Sequence, residues 1–425
     1  MADTIFALSS GAPPAAIAVV RISGPAAGAA LQQLAGRLPP ERRAVAATLR
    51  DEAGALLDRA LVLWLPGPGT ATGEDTAELH LHGGRAVVAA VSEALSIIPG
   101  LRMADPGEFT RRAFANDRID LAEAEGLADL LSAETELQRQ SALAMAGGAF
   151  SQQVEQWRER LLGLSAAVEA VLDFADEDDV ATLPGDFLQR VDGLRGDLAA
   201  WLSRPRAETL REGFRVVIAG PPNAGKSTFF NVLVQSEAAI ATPIAGTTRD
   251  VLTRPVGYAG IPFLFADTAG LHDVTDDVVE AIGIERALEA LDRADLVLWL
   301  GPEGEGPAGA WEIAAQCDRP QGAAKRYPRH RVSAVNGEGV EALIEDLVTT
   351  ARAAMPKPGE AALSQRQHDL LRDAARALQA AEDEVDPLLI GEALRLARVS
   401  FDALLGRTTT EDMLDALFGR FCIGK

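Results

Sequence analysis

The sequence predicts a multidomain fold: an N-terminal α+β domain, an α-helical bundle domain, and an α/β phosphate-loop domain inserted into the bundle. Three observations carry this expectation. Short runs with strand-like alternation fill the N-terminal stretch. A glycine-rich signature sits between an apolar strand and a helix near the middle. Stretches with apolar residues three and four apart flank that signature on both sides. Helices before and after an α/β unit imply one helical domain that the unit interrupts. The expected division is therefore 1–118, 119–211, 212–355 and 356–425, with the second and fourth segments forming the helical domain.

Composition narrows the class. The chain has 425 residues, 48% of them hydrophobic, enough for several cores. Its two cysteines, Cys317 and Cys422, lie far apart, which argues against a disulfide framework or a zinc site and points to a reducing, cytoplasmic setting. Asp3 precedes a short apolar run with no basic leader, so no signal peptide is expected, and no apolar stretch is long enough to span a bilayer. A net charge of −22 argues against a surface that grips nucleic acid by itself; a local patch or a partner would have to supply the positive field.

In chain order, residues 3–24 read as two short strands around a Gly-Pro-rich turn, the stronger at 15–22. Strands follow at 61–65 and 77–82, the second alternating as AELHLH, and a helix opens after Gly84 over 86–98. From Ile119 the period becomes helical. Leu127, Leu130, Leu131 and Leu137 recur at that spacing, then Trp157, Leu161, Leu164, Val168 and Leu172, all expected in the bundle core. The acidic run 173–179 reads as a solvated loop in preference to a metal site. After a Pro-rich return linker, MPKPGE at 355–360, helical periodicity resumes over 364–405 and the tail reads GRFCIGK.

The central signature is FRVVIAGPPNAGKST at 214–228, with Gly220, Gly225, Lys226 and Ser227 at phosphate-loop spacing. Its glycines let the backbone turn so that successive N–H groups, from Asn223 and Ala224 through Gly225 to Thr228, point at phosphate oxygens. Lys226 reaches the β- and γ-phosphates, the Ser227 hydroxyl ligates Mg²⁺, and the following helix presents its N-terminus. A second strand at 262–266 runs into Asp267, Thr268, Ala269 and Gly270, a D-x-x-G turn in which Asp267 supports the metal and the Gly270 N–H senses a γ-phosphate. Between the two lie Thr242, Pro243, Ile244, Ala245, Gly246, Thr247, Thr248, Arg249 and Asp250, a run suited to order on a γ-phosphate, with Thr248 placed as the second hydroxyl ligand of Mg²⁺. A third apolar strand is expected at 296–300.

Guanine would be read by an N-K-x-D element and a later S-A-x turn. Ser333, Ala334 and Val335 supply the turn. The first element is degenerate: a strand at 313–315 leads into Ala315, Gln316, Cys317 and Asp318. Asp318 can accept the guanine N1–H and N2–H bonds, but Ala315 lacks a loop-bridging amide and Gln316 replaces the lysine stem that stacks on the base. Guanine preference with weakened affinity is expected. Leu271 stands where a water-orienting glutamine would be, and only Arg249 resembles an arginine finger, so hydrolysis needs another polar group and another cation. His272, Asp273, Asp276, Asp277 and Glu280 are the open choices for the polar group.

These residues together resemble the MnmE (TrmE) family of tRNA modification GTPases over essentially the whole chain. The matching stretches are VRISG at 20–24, GEDTAELHLHGG at 73–84, PGEFTRRAFANDRIDLAEAEGLADL at 106–130, GPPNAGKST, PIAGTTRD, DTAGL and the FCIGK terminus. The resemblance implies an N-terminal folate-binding and dimerisation domain, a helical domain and an inserted GTPase domain. It implies a homodimer working with an FAD-containing MnmG-like partner, as a heterotetramer, to add an aminomethyl-type group to C5 of the wobble uridine of certain tRNAs. The tRNA would be held largely through that partner, and no membrane is involved. A one-carbon folate such as 5-formyl-tetrahydrofolate would bind at Arg21, Glu78, Arg118 and Lys425, with Arg118 standing where familiar members carry lysine. Such GTPases use K⁺ where a finger would reach, and Asn223, Thr242, Ile244 and Thr247 match its ligands. Ser227 and Thr248 match the Mg²⁺ ligands, and Glu280 matches the water-orienting acid in a loop one residue longer than usual. Cys422 matches the family's tail cysteine, with nucleophilic and positional roles both open.

The sequence thus reads as a K⁺-dependent GTPase of wobble-uridine modification. The rivals are a regulatory GTPase switch that binds RNA or ribosome without modification chemistry, and a phosphate-loop kinase or ATPase.

Overall fold

The computed structural model describes residues 3–173, 182–236, 240–241, 252–267, 290–319, 325–408 and 410–425. The chain forms two compact units, Met1–Ala128 with Asp402–Lys425, and Asp129–Phe401.

In the first unit, β1 (Thr4–Leu8), β2 (Ile17–Ser23), α1 (Ala27–Ala35), β3 (Val45–Arg50), β4 (Leu56–Leu65), β5 (Thr76–His82), α2 (Arg85–Ser96), β6 (Leu101–Met103) and α3 (Glu108–Ala115) precede α4 (Leu121–Ser132). The sheet has the order β3-β4-β5-β2-β1-β6, antiparallel but for the β1–β6 pair. Alternation decides its faces. Ala77, Leu79 and Leu81 of β5 join Val20, Ile22, Leu31 and Leu95 in the core, while Glu78 and His80 point to the other face. Sequence reading missed α1, β3, β6 and α3. The inner stripe of α1 is half alanine, β3 is a half-exposed edge strand and β6 has only 3 residues, so none carries a strong apolar period.

The C-terminal tail belongs to this unit. Leu414, Phe418 and Phe421 cluster with Leu121 and Ala124. Gly424 has φ +95°, and a Cβ there would lie 2.1 Å from the Leu8 carbonyl oxygen, so only glycine lets the tail lie against β1.

The second unit contains α5 (Glu136–Ala146), α6 (Ala149–Asp173), α7 (Phe187–Leu202), α8 (Ala207–Glu212), β7 (Phe214–Ala219), α9 (Lys226–Gln235), β8 (Ile240–Ala241), β9 (Leu252–Tyr258), β10 (Ile261–Asp267), β11 (Leu296–Trp299), β12 (Trp311–Ala314), β13 (His330–Arg331), α10 (Val340–Ala354), α11 (Gln365–Asp383) and α12 (Pro387–Leu404). Trp157, Leu161, Leu164 and Val168 are buried along α6 as expected, but Val171 takes the next inner position and Leu172 is only half-buried. The 364–405 period is two helices, broken before Pro387, whose ring cannot continue the first. Most of the acidic run 173–179 lies outside the described residues.

Of the expected bundle-core leucines, Leu131 is exposed and Leu127 packs with the tail cluster of the first unit, and Leu137 fails most instructively. Leu137 is not in the bundle: a break after α4, capped by Thr135, starts a new helix, and Leu137 is buried with Phe214, Tyr258 and Phe263 of the α/β part. A helical period shows which residues share a face but not what that face meets. The α/β sheet has the order β13-β12-β11-β7-β10-β9-β8, parallel from β13 to β10. β7 and β10 are buried along nearly their whole length, as parallel strands covered on both faces must be. The chain enters and leaves this part side by side, the Ala207 N–H donating to the Leu363 carbonyl at 2.9 Å. No helix joins β11 to β12; there the Trp299 indole packs against Gly301 and Gly306 and donates to the Pro302 carbonyl at 2.8 Å.

Candidate functional site

The central strand β7 has β10 on one side and β11 on the other, so the sheet order reverses there and a crevice opens at the strand's C-terminal end. Gly220 leaves the strand at φ +151°, where a Cβ would lie 3.1 Å from the Gly301 nitrogen. Asn223 takes φ +64° and Gly225 φ +89°, two left-handed residues that curl the loop before α9. The Phe229 N–H donates to the Gly225 carbonyl at 2.9 Å, so the helix begins directly after the loop. Lys226 is buried, and its ammonium donates to the Gly220 and Pro221 carbonyls at 2.9 Å each, which holds it across the hollow of the loop. Ser227 and Thr228 are exposed on the first turn. Asp267 is fully buried at the end of β10, in register with Ile218 of β7. Asn223, Ala224, Gly225, Lys226, Ser227, Thr228 and Asp267 therefore gather at one end of the sheet. Thr242 through Thr248, Thr268, Ala269, Gly270 and Glu280, with His272, Asp273, Asp276 and Asp277, lie outside the described residues.

The base-reading residues meet at the exit of β12. The Val332 N–H donates to the Ala314 carbonyl at 2.9 Å, bringing Ser333 and Ala334 alongside. The Ser333 hydroxyl donates to Asp318 Oδ1 at 2.7 Å and accepts from the Val335 N–H at 3.2 Å. That hydroxyl holds the Asp318 carboxyl below the ordinary range, so it stays an acceptor for N–H groups. Gln316, at φ +59°, extends over the phosphate loop: a Cβ on Gly225 would lie 2.9 Å from its Nε2. Beside it, Ala315 lines a cavity of about 370 Å³ with Pro222, Asn223, Ala224, Leu300 and Lys325. Sequence reading missed Lys325, whose ammonium donates to the Trp299 carbonyl at 2.7 Å and to Glu312 at 2.5 Å. No spacing signal marks it, because its partners come from two separate strands.

In the first unit, Arg21 and Glu78 are register partners on β2 and β5, and Arg21 Nη2 lies 3.0 Å from Glu78 Oε1. His80 Nε2 lies 3.2 Å from the other carboxylate oxygen. Lys425 follows Gly424, which packs on Leu8, one register step from the Ala7–Arg21 pair. The stem of Arg118 packs against Gly73, 3.3 Å from where a Cβ would sit. Cys422 is exposed. A further network went unread in the sequence: Arg112 donates to Asp3, Glu74 and Glu108, Arg102 donates to Asp3 and Glu108, and Ser23 donates to Glu74 at 2.7 Å. It fastens the loop that carries Gly73.

A family model described as the MnmE helical domain matches residues 121–422, and one described as the GTP-binding protein TrmE N-terminus matches residues 4–118. The chain is 63% identical to the tRNA modification GTPase MnmE of Novosphingobium aromaticivorans, covering 100% of each chain. It is likewise 63% identical to that of Erythrobacter litoralis, with 100% of each covered. It is 48% identical to that of Zymomonas mobilis, over 99% of this chain and 100% of the relative. Among solved structures, the G domain of the FeoB iron transporter of T. maritima is 22% identical over 32% of this chain and 98% of that one, with a TM-score of 0.24. Era of Aquifex aeolicus is 21% identical over 39% of this chain and 67% of that one, also at 0.24. Likenesses that slight add nothing to the strand order.

Proposed function

The chain belongs to the MnmE family of tRNA modification GTPases, and on that premise we propose how it works: GTP is hydrolysed on the loop from Gly220 to Ser227, in a pathway that modifies C5 of the wobble uridine of certain tRNAs. The observation that carries this is the buried Lys226, held across a loop of two left-handed residues beside Asp267, at the point where the sheet order reverses. The loop N–H groups and Lys226 take the triphosphate, while Asp318, Ser333 and Ala334 take the guanine.

Ser227 and Thr248 supply hydroxyl oxygens, hard donors suited to Mg²⁺, and the buried Asp267 holds the shell outside them. When bound, Mg²⁺ offsets charge on the β- and γ-oxygens. Asn223, with Thr242, Ile244 and Thr247, would hold K⁺; the left-handed Asn223 at the exposed lip of the loop supports that role. Glu280 orients water. Residues 1–118 form a dimerisation and folate domain, 119–211 and 356–425 a helical domain, and 212–355 the GTPase domain. Exposed Ile17 and Leu61, on the sheet face that carries Arg21, support a homodimer. Arg21, Glu78, Arg118 and Lys425 bind 5-formyl-tetrahydrofolate or a related one-carbon folate, the cations suiting its carboxylates and Glu78 its pterin N–H edge. An MnmG-like flavoprotein completes a cytoplasmic heterotetramer and presents the tRNA, which fits a chain of net charge −22.

Turnover of GTP in KCl against NaCl, with retention on immobilised formyl-folate, tests the proposal. Faster turnover in KCl and specific retention are expected; equal turnover removes the K⁺ role, and no retention removes the folate role.

A further inference from the structure

Helix α5 touches the α/β part and the two segments that join it to the helical part. Its Leu137 N–H donates to the Gly260 carbonyl at 3.1 Å, at the turn of the β9–β10 hairpin. Its Gln138 amide donates to the Leu210 carbonyl at 2.9 Å, in the helix that leads into β7. Its Ser141 hydroxyl donates to the Glu360 carbonyl at 2.8 Å, on the return linker. The Leu137 side chain is buried among Phe214, Tyr258, Ile261 and Phe263. Gly260 has φ +79°, and a Cβ there would lie 3.3 Å from Glu136 Cβ, so the turn fits closely on the helix. A Thr135–Gln138 capping box fixes the first turn of α5. Yet cavities of about 380 and 300 Å³ flank that turn, both lined by Glu134, Gln138 and Arg211. The helix is therefore held through its first two turns, with open clefts on either side of the contact.

We propose that α5 is the bearing through which the GTP site and the helical part bias each other, with Leu137 and Gln138 as positioning residues acting through the β9–β10 hairpin. β10 runs from Ile261, next to Gly260, to Asp267 and is in ladder contact with β7 from Phe263 on, so a shift at the Asp267 end is carried along a stiff strand to α5. This rests on the proposal that the Asp267 end responds to the γ-phosphate. Coupling is reciprocal. If nucleotide state moves the bearing, loosening the bearing must change the relative affinity for the two nucleotide states.

The test uses the full chain with GDP and with a non-hydrolysable GTP analogue, in wild type, Leu137→Ala, Gln138→Ala and the conservative Leu137→Met. The alanine variants should shift the ratio of the two dissociation constants by about fivefold or more, and Leu137→Met should restore it. In the wild type, exchange protection of the Leu137 amide should differ between the two nucleotide forms. Should Leu137→Ala fail to fold, Gln138→Ala and the wild-type exchange measurement carry the test. An unchanged ratio together with identical protection overturns the bearing while leaving the GTP site intact. If neither nucleotide binds the wild type, both proposals fall.

Discussion

The two sheets present their candidate chemistry differently. In the seven-stranded sheet, β7 and β10 are buried along nearly their whole length, so the candidate polar groups gather at their C-terminal ends, where Gly220 and Asp267 stand. In the six-stranded sheet one face carries the main core and the other, covered at β1 by Ala104 and Phe109, carries Arg21, Glu78 and His80 in mid-strand. The first site is built mainly from backbone and one buried ammonium, which fixes a contiguous sequence pattern. The second is built from side chains on separate strands, which only register brings together. A backbone site should fail sharply when its single cation is removed, and a side-chain site should weaken by parts.

The largest effect is therefore expected at Lys226. Lys226→Ala should lower kcat/KM for GTP by about 10²–10³-fold, read by phosphate release; near-normal turnover would break the contrast. Next comes Asp318→Asn, which removes a charged acceptor worth about 1.5–3 kcal/mol. Preference for GTP over ATP should fall by about 10–100-fold in competition binding. On the side-chain site, Arg21→Ala should weaken formyl-folate binding by about tenfold, measured by calorimetry, with Glu78 and Lys425 still in place; complete loss would mean one residue dominates there too.

The smallest effect is on stability. Hydrogen bonding from Arg102 holds the Asp3 carboxyl low; at Glu108 burial opposes, but hydrogen bonds from Arg102 and Arg112 still hold it low. Both are depressed on folding, so their stabilisation is present above the ordinary carboxylate values of 3.8 and 4.5 and lost as pH falls through the lowered ones. Arg112→Met should cost about 1–2 kcal/mol, or about 3–6 °C in Tm, at pH 7. The gap should close at pH values below the ordinary carboxylate range; a gap independent of pH would show that packing, not charge, fastens the 70–74 loop.

That contrast also explains what the sequence disclosed. The phosphate loop, Asp267 and the Ser333 turn were legible because backbone geometry demands glycine or a short polar residue at fixed intervals. Arg21 and Glu78 were placed only through family resemblance, since 57 residues separate them in sequence. The Arg112 network and Lys325 left no trace for the same reason: their partners come from elsewhere in the fold. Leu137 had the right period but the wrong destination, because amphipathicity records burial and not the neighbour. The absent helix between β11 and β12 went unremarked because Trp299 reads in sequence as an ordinary strand residue, and its packing against Gly301 and Gly306 leaves no pattern.

The most direct test is a structure of the chain with a GTP analogue and Mg²⁺. The Lys226 ammonium should then lie within hydrogen-bond distance of the β- and γ-phosphates, with the guanine edge on Asp318. A nucleotide seated elsewhere, with Lys226 bonded only to the carbonyls of Gly220 and Pro221, would contradict it.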